Sequence, residues 1–169
     1  MNEKEKRYSY SKLTTFLQCE YQYFNQYVIK QDSEDNIYSA AGSTVHNIIE
    51  KMQEGKLEKD EAVTQFREEM EMHSILGYDF TSEKTKNNFI QSIEHYIKYF
   101  EPINKKVEIE KKFEADFDGY KIIGFIDLLV YNDDGTVTII DLKTSSKYNK
   151  KAIEKHCNQL LIYAIAMEQ

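Results

Sequence analysis

One stretch limits the possible folds of this chain more than any other: Gly124 to Ser145, GFIDLLVYNDDGTVTIIDLKTS. It reads as two short apolar strands joined by a turn. Phe125, Ile126, Leu128, Leu129 and Val130 lie in the first strand, and Val137, Ile139 and Ile140 in the second. All are residues that favour a pleated, buried surface. Asp133-Asp134-Gly135 suits a three-residue hairpin loop with Gly135 in the left-handed position. With Asn132 facing Thr136, counting back sets Asp127 opposite Asp141. Lys143, two residues on, is expected on the same face, because strand side chains repeat with period two. Charged groups among so many apolar neighbours need partners or a cation. Two acids and a lysine meeting on one sheet face are the pattern of metal-assisted phosphodiester chemistry.

The rest of the chain is expected to surround this hairpin with helices. Residues 8–30 have helical spacing, capped by Ser9 or Ser11, with Leu13, Phe16, Leu17, Phe24, Tyr27 and Val28 on one face. A second helix is predicted from Ala40–Ser43 to Gln53, with Val45, Ile48, Ile49 and Met52 as its apolar stripe and Gly55 as its stop. A third spans Asp60 to Leu76. A fourth is capped by Ser82, has a core face of Phe89, Ile93, Tyr96, Ile97 and Phe100, and closes at Pro102. The period then changes. Val107–Phe117, Tyr120–Tyr131 and Thr136–Lys143 read as strands, with a tight turn at Asp118-Gly119, and Ala152–Met167 as a final amphipathic helix. The predicted class is therefore α+β: a small sheet, an antiparallel three-strand meander, flanked by helices. At 169 residues the chain is read as one domain, with 1–41 an N-terminal helical segment and 42–169 the core.

Charge sharpens the reading. The net charge is -7, which does not favour nonspecific binding to a polyanion. Yet from Lys143 to Lys155 five lysines face one acid, whereas Glu50 to Glu71 holds eight acids against four bases. A local basic stretch beside an acidic site is compatible with a nucleic-acid substrate. The two cysteines, Cys19 and Cys157, are far apart and suggest neither a disulfide framework nor a zinc site. No apolar run reaches the ~20 residues that span a bilayer, and MNEKEKRYSYSK lacks the apolar core of a secretory signal. No membrane association is expected, and a cytoplasmic location is the default.

Several side chains are candidates for the chemistry. Gly42, His46 and Glu50 are one turn apart on the second helix and share a stripe. A lone helical histidine is by itself more often a hydrogen-bonded packing residue. The oxygen ligands of Asp127 and Asp141, with the backbone carbonyl of Leu142, suit a hard cation such as Mg²⁺. Lys143 is placed to orient water or to offset negative charge developing on a phosphate. Glu110 is a further candidate ligand, with Glu108 its competitor. Gln159 and Tyr163, four apart on the last helix, either touch a phosphate backbone or buttress the site, and packing is an equal reading for Tyr163. Lys147, Lys150 and Lys151 are the basic residues nearest in sequence and candidates for DNA contact.

Taken together, SYSKL with Cys19, Gly42/His46/Glu50, Glu110, GFID, DLK and Gln-x3-Tyr resemble, in order and spacing, the PD-(D/E)xK nuclease superfamily. Within it the match is to the RecB-like branch, which includes the RecB and AddB nuclease domains and the CRISPR-associated RecB-like exonucleases. The resemblance covers residues 9–169. It implies a restriction-endonuclease-like core and a DNA nuclease dependent on Mg²⁺ or Mn²⁺, an exonuclease sooner than an endonuclease. The process implied is DNA repair, recombination, or the handling of phage or mobile-element DNA. It further implies that His46, Asp127 and Asp141 bind the metal, with Glu110 as a further ligand, that Lys143 is the catalytic lysine, and that a helicase or recombination protein is a partner. Some relatives hold a [4Fe–4S] cluster through one cysteine near the start and three beyond the Gln-x3-Tyr helix. Cys19 has the first place but Cys157 precedes Gln159, so no cluster is expected in this chain. Glu20 stands where many relatives have proline. The core implied is α-β-β-β-α-β, whereas only three strands are predicted, so the chain is either a fragment or covers its sheet edge otherwise. The competing reading is a noncatalytic module, binding nucleic acid or a partner, that retains the fold.

Overall fold

The computed structural model describes residues 7–31, 36–144 and 150–168, with the side chains at 151, 152 and 155 outside that description. The chain divides into two compact units, Met1–Ser33 with Lys106–Asp141 and Tyr148–Gln169, and Glu34–Lys105 with Leu142–Lys147.

The first unit is built on a sheet. Strand β1 is Arg7–Tyr8, β2 Lys106–Phe117, β3 Tyr120–Tyr131 and β4 Val137–Ile140. Antiparallel pairing joins β2 to β3 and β3 to β4, while β1 runs parallel to β3 through Arg7↔Lys121 and Tyr8↔Ile122. The sheet is therefore mixed, and its fourth strand precedes the helices. Two residues are too few for a period to register, which is why no strand is expected there. Both predicted turns form for the predicted reason. Asp118 and Gly119 have φ of 51° and 82°, as a two-residue hairpin whose twist matches its strands requires. In the second hairpin the Asn132 N–H donates to the Thr136 carbonyl at 2.9 Å, and Gly135 takes φ 83°. The resulting register, Leu128↔Ile140 through Tyr131↔Val137, is the one counted from the sequence. β4 stops at Ile140, however, three residues short of the expected strand, so period two does not carry from Asp141 to Lys143.

Helix α6, Lys150–Glu168, lays Tyr163 and Ala166 on the sheet against Phe113, Ala115, Ile122, Ile126 and Leu129. The N-terminal segment departs from expectation. One helix over 8–30 is replaced by α1 (Tyr10–Gln18), α2 (Glu20–Tyr23) and a π-helical stretch, Phe24–Ile29. At the break Cys19 is extended, and its Sγ accepts the Gln22 N–H at 3.4 Å, a local bond that competes with helix continuation. The rotation of 100° per residue does not carry across such a break. The anticipated stripe is accordingly not a buried face: Leu13 reaches the core, but Leu17 is 82% and Val28 57% exposed.

The second unit contains three helices: α3 (Ile37–Gln53), α4 (Lys59–Ile75) and α5 (Glu83–Tyr99). Asn36 caps α3 by accepting the N–H groups of Tyr38 and Ser39, which starts the helix earlier than its apolar stripe alone suggests. Val45, Ile48, Ile49 and Met52 are buried as predicted, against a set from α4 that includes Ala62, Phe66 and Met70. Ser82 caps α5, which buries Ile93 and Ile97 but leaves Tyr96 at the surface. Arg67 of α4 grips Glu94 of α5 through two hydrogen bonds, 2.6 and 2.9 Å. Gln53 makes a reciprocal pair with the Ile103 backbone, donating at 3.1 Å and accepting at 2.9 Å. No helix among the described residues is long and apolar enough to cross a membrane.

Candidate active site

In the first unit, the β3–β4 register extended by one residue sets Asp127 against Asp141 just beyond the last ladder pair. Both are half-buried. Asp141 is held from α6: the Gln159 side-chain amide donates to its Oδ1 at 3.0 Å and also to the Tyr163 hydroxyl at 2.7 Å. Tyr163 is only 6% exposed, and burial raises its pKa; the Gln159 bond opposes this, while the charges of Asp141 and Asp127 reinforce it. The phenol therefore stays protonated beside the two acids. Its ring meets Phe113 edge to face, centroids 5.2 Å apart. Phe113 in turn lies across β3 at Gly124, where a Cβ would fall 2.7 Å from the ring. The glycine of GFID thus admits Phe113, Phe113 packs on Tyr163, and Tyr163 and Asp141 share the amide of Gln159. A glycine inside a strand signals such a close approach, but neither Phe113 nor the path to Asp141 is readable from spacing.

The two candidate glutamates of β2 differ in role. Glu108 pairs with Lys111 at 2.6 Å and accepts the Tyr131 hydroxyl, and these bonds hold its carboxyl below the usual range. Residues three apart in a regular strand face opposite ways. Glu108 and Lys111 meet because Glu110 between them has φ 46°, a left-handed conformation uncommon for such a residue. Ile126 and Leu129 of β3 likewise share one core cluster despite odd spacing. Alternation therefore reverses in both strands at the row of Glu110 and Asp127, a pair missing from an otherwise continuous ladder. Glu110 is exposed at this distortion, and strain of this kind concentrates at functional positions.

In the second unit, the stripe Gly42-x3-His46 of α3 faces the chain just after Asp141. His46 Nε2 lies 3.1 Å from the Leu142 carbonyl oxygen, and a Cβ on Gly42 would lie 3.4 Å from Thr144 Oγ1. Leu142 is buried and Lys143 exposed. Among the described residues, no three His, Cys, Asp or Glu side chains stand grouped closely enough to hold a metal ion as they are. The donor chemistry nonetheless suits a divalent cation. His46 Nε2 donates a hydrogen bond to the Leu142 carbonyl here, and a cation taking both atoms as ligands would replace the proton between them. Lys150 is exposed at the first turn of α6, while Lys147 and the Lys151 side chain lie outside the described residues, as does Ser145 of the DLKTS motif.

Comparison with known proteins decides the family. Residues 7–169 match the model of the PD-(D/E)XK nuclease superfamily. This chain belongs to that superfamily. The mixed sheet and its flanking helices form the PD-(D/E)XK fold, consistent with a restriction-endonuclease-like core. Members are nucleases that hydrolyse phosphodiester bonds and generally use divalent metals such as Mg²⁺. Searches of curated proteins and of solved structures find no match.

Proposed function

We propose that this PD-(D/E)XK chain is a DNA nuclease of the RecB-like kind, acting from strand ends with Mg²⁺ or Mn²⁺. The observation that carries the reading is the register that sets Asp127 against Asp141, in a chain whose superfamily cuts phosphodiesters. The branch assignment rests on the ordered motifs: His46 one turn after Gly42, GFID, DLK and Gln159-x3-Tyr163. Asp127, Asp141, His46 and the Leu142 carbonyl are assigned as the cation's ligands, with Glu110 as an outer ligand. When bound, such an ion polarises a phosphate oxygen and lowers the pKa of bound water.

The remaining roles belong to the chain's own groups. Gln159 restrains the Asp141 carboxylate by donating to its Oδ1. Tyr163, kept neutral by burial, adds no charge beside the acids. Lys143 offsets the negative charge that builds on the phosphate oxygens as water attacks in line. The direct test incubates the purified chain with end-labelled DNA, with and without Mg²⁺ or Mn²⁺. Single-nucleotide products released progressively from one end support the proposal. Metal-independent cutting, or no cutting at all, counts against it.

A further inference from the structure

The second unit contains a cavity of about 520 Å³ between α3, α5 and the segment Leu142–Thr144. That size is within the roughly 300–1,000 Å³ of sites that take small molecules. Its walls carry the aromatic rings of Tyr38, Phe89 and Tyr96 and the amide of Asn88, with Lys143 at one side. Tyr38 and Phe89 brace each other edge to face, centroids 5.8 Å apart. Tyr38 remains 44% and Tyr96 41% exposed, so each ring has surface left for a ligand. Among the described residues the Asn88 side-chain amide has no hydrogen-bond partner. Among the described residues no acid lines the cavity, although the chain carries 29 acids and a net charge of -7. Among the described residues Lys143 is the one charged side chain in the lining.

The same character continues outward. Asn88 and Ser92 also line a shallow depression with Gln91 and His95, again without an acid among the described residues, and the tilted rings of His95 and Tyr99 lie with centroids 4.5 Å apart. Residues 88, 92, 95, 96 and 99 recur at helical spacing, so one stripe of α5 is polar and aromatic but not acidic. Flat aromatic faces, an unpartnered amide and a single cation are what an unpaired base attached to a phosphate requires. Stacking supplies affinity without sequence preference, the amide meets the base edge, and the cation meets the phosphate. A base inside a duplex has both faces covered and would first have to be flipped out, at the cost of unstacking and unpairing.

We infer that this cavity receives an unpaired base of the strand to be cut and that its neighbours lie along the α5 stripe, which favours single-stranded DNA over duplex. This rests on the nuclease reading and specifies its substrate.

The test measures fluorescence anisotropy of labelled 12-nucleotide single strands and of a matched duplex, with Ca²⁺ in place of Mg²⁺. Tyr96→Ala is expected to weaken single-strand binding about 5- to 150-fold, with duplex binding unchanged. Tyr96→Phe should restore it, and Asn88→Ala, at an exposed position, should weaken it without disturbing the fold. In the wild type, one abasic position in a scan along the strand should cost a similar factor and add little to Tyr96→Ala. A flat abasic scan, or equal loss for single strand and duplex, overturns the assignment. Cleavage in Mg²⁺ is run in parallel. Cutting with a flat scan rejects the pocket and leaves the nuclease reading intact. Base-dependent binding without cutting keeps the pocket and rejects the nuclease reading.

Discussion

Gln159 reaches back 18 residues to donate a hydrogen bond to Asp141 at 3.0 Å, and its other amide hydrogen goes to Tyr163. A carboxylate proposed as a metal ligand is thus oriented by a neutral donor on a different element. Outer groups of this kind set ligand position and basicity.

Gln159→Ala should leave the fold intact but raise the Mg²⁺ or Mn²⁺ concentration needed for half-maximal cleavage about 10- to 100-fold. Gln159→Glu should do worse, because a second carboxylate beside Asp141 raises the cost of ionising both. A metal titration of cleavage rate, with circular dichroism as the fold control, checks both. An unchanged metal requirement would remove Gln159 from the site.

Lys143→Ala is expected to lower the cleavage rate constant about 10²- to 10³-fold, the usual loss when one group that stabilises developing charge is removed. Asp141→Asn and Asp127→Asn should abolish metal-dependent cleavage. DNA binding measured in Ca²⁺ should survive both aspartate changes, whereas Lys143→Ala, which also removes the cation lining the cavity, should weaken it. Undiminished cleavage by Lys143→Ala would favour a noncatalytic binding module over the nuclease.

At Gly124 a methyl group would meet the Phe113 ring at 2.7 Å. Gly124→Ala should therefore destabilise the protein by about 1–3 kcal/mol through overpacking. Phe113→Leu in the same chain should recover part of that loss, since the two residues are direct cross-strand partners. Urea unfolding of the two single variants and the double variant measures the coupling. Strict additivity would show that the contact is not what constrains this position.

Arg67 holds Glu94 below its ordinary pKa, chiefly through the hydrogen bonds between them. A carboxyl with a lowered pKa in the folded state stabilises it fully above the ordinary value of about 4.3. That contribution is lost as pH falls through the lowered, folded-state value. Wild type should exceed Glu94→Gln in stability at neutral pH, and the gap should close below about pH 4. Chemical denaturation at a series of pH values tests this. A gap independent of pH would mean the charge on Glu94 is not the cause.

What could be read from the residues alone was whatever the backbone decides locally. The loop Asp133–Gly135 sets its own register because Gly135 accepts φ 83° and its neighbours do not need to. The same local logic starts α5 at Ser82 and turns the chain at Asp118-Gly119. Tertiary contacts decided the rest. The pairing of Arg7–Tyr8 with β3, the reversal of alternation at Glu110 and the grip of Gln159 on Asp141 each depend on a partner's position or on a backbone conformation its residue type does not favour. Periodicity records which residues seek burial. It carries no information about which distant group arrives to meet them, because that is settled only when the whole chain packs.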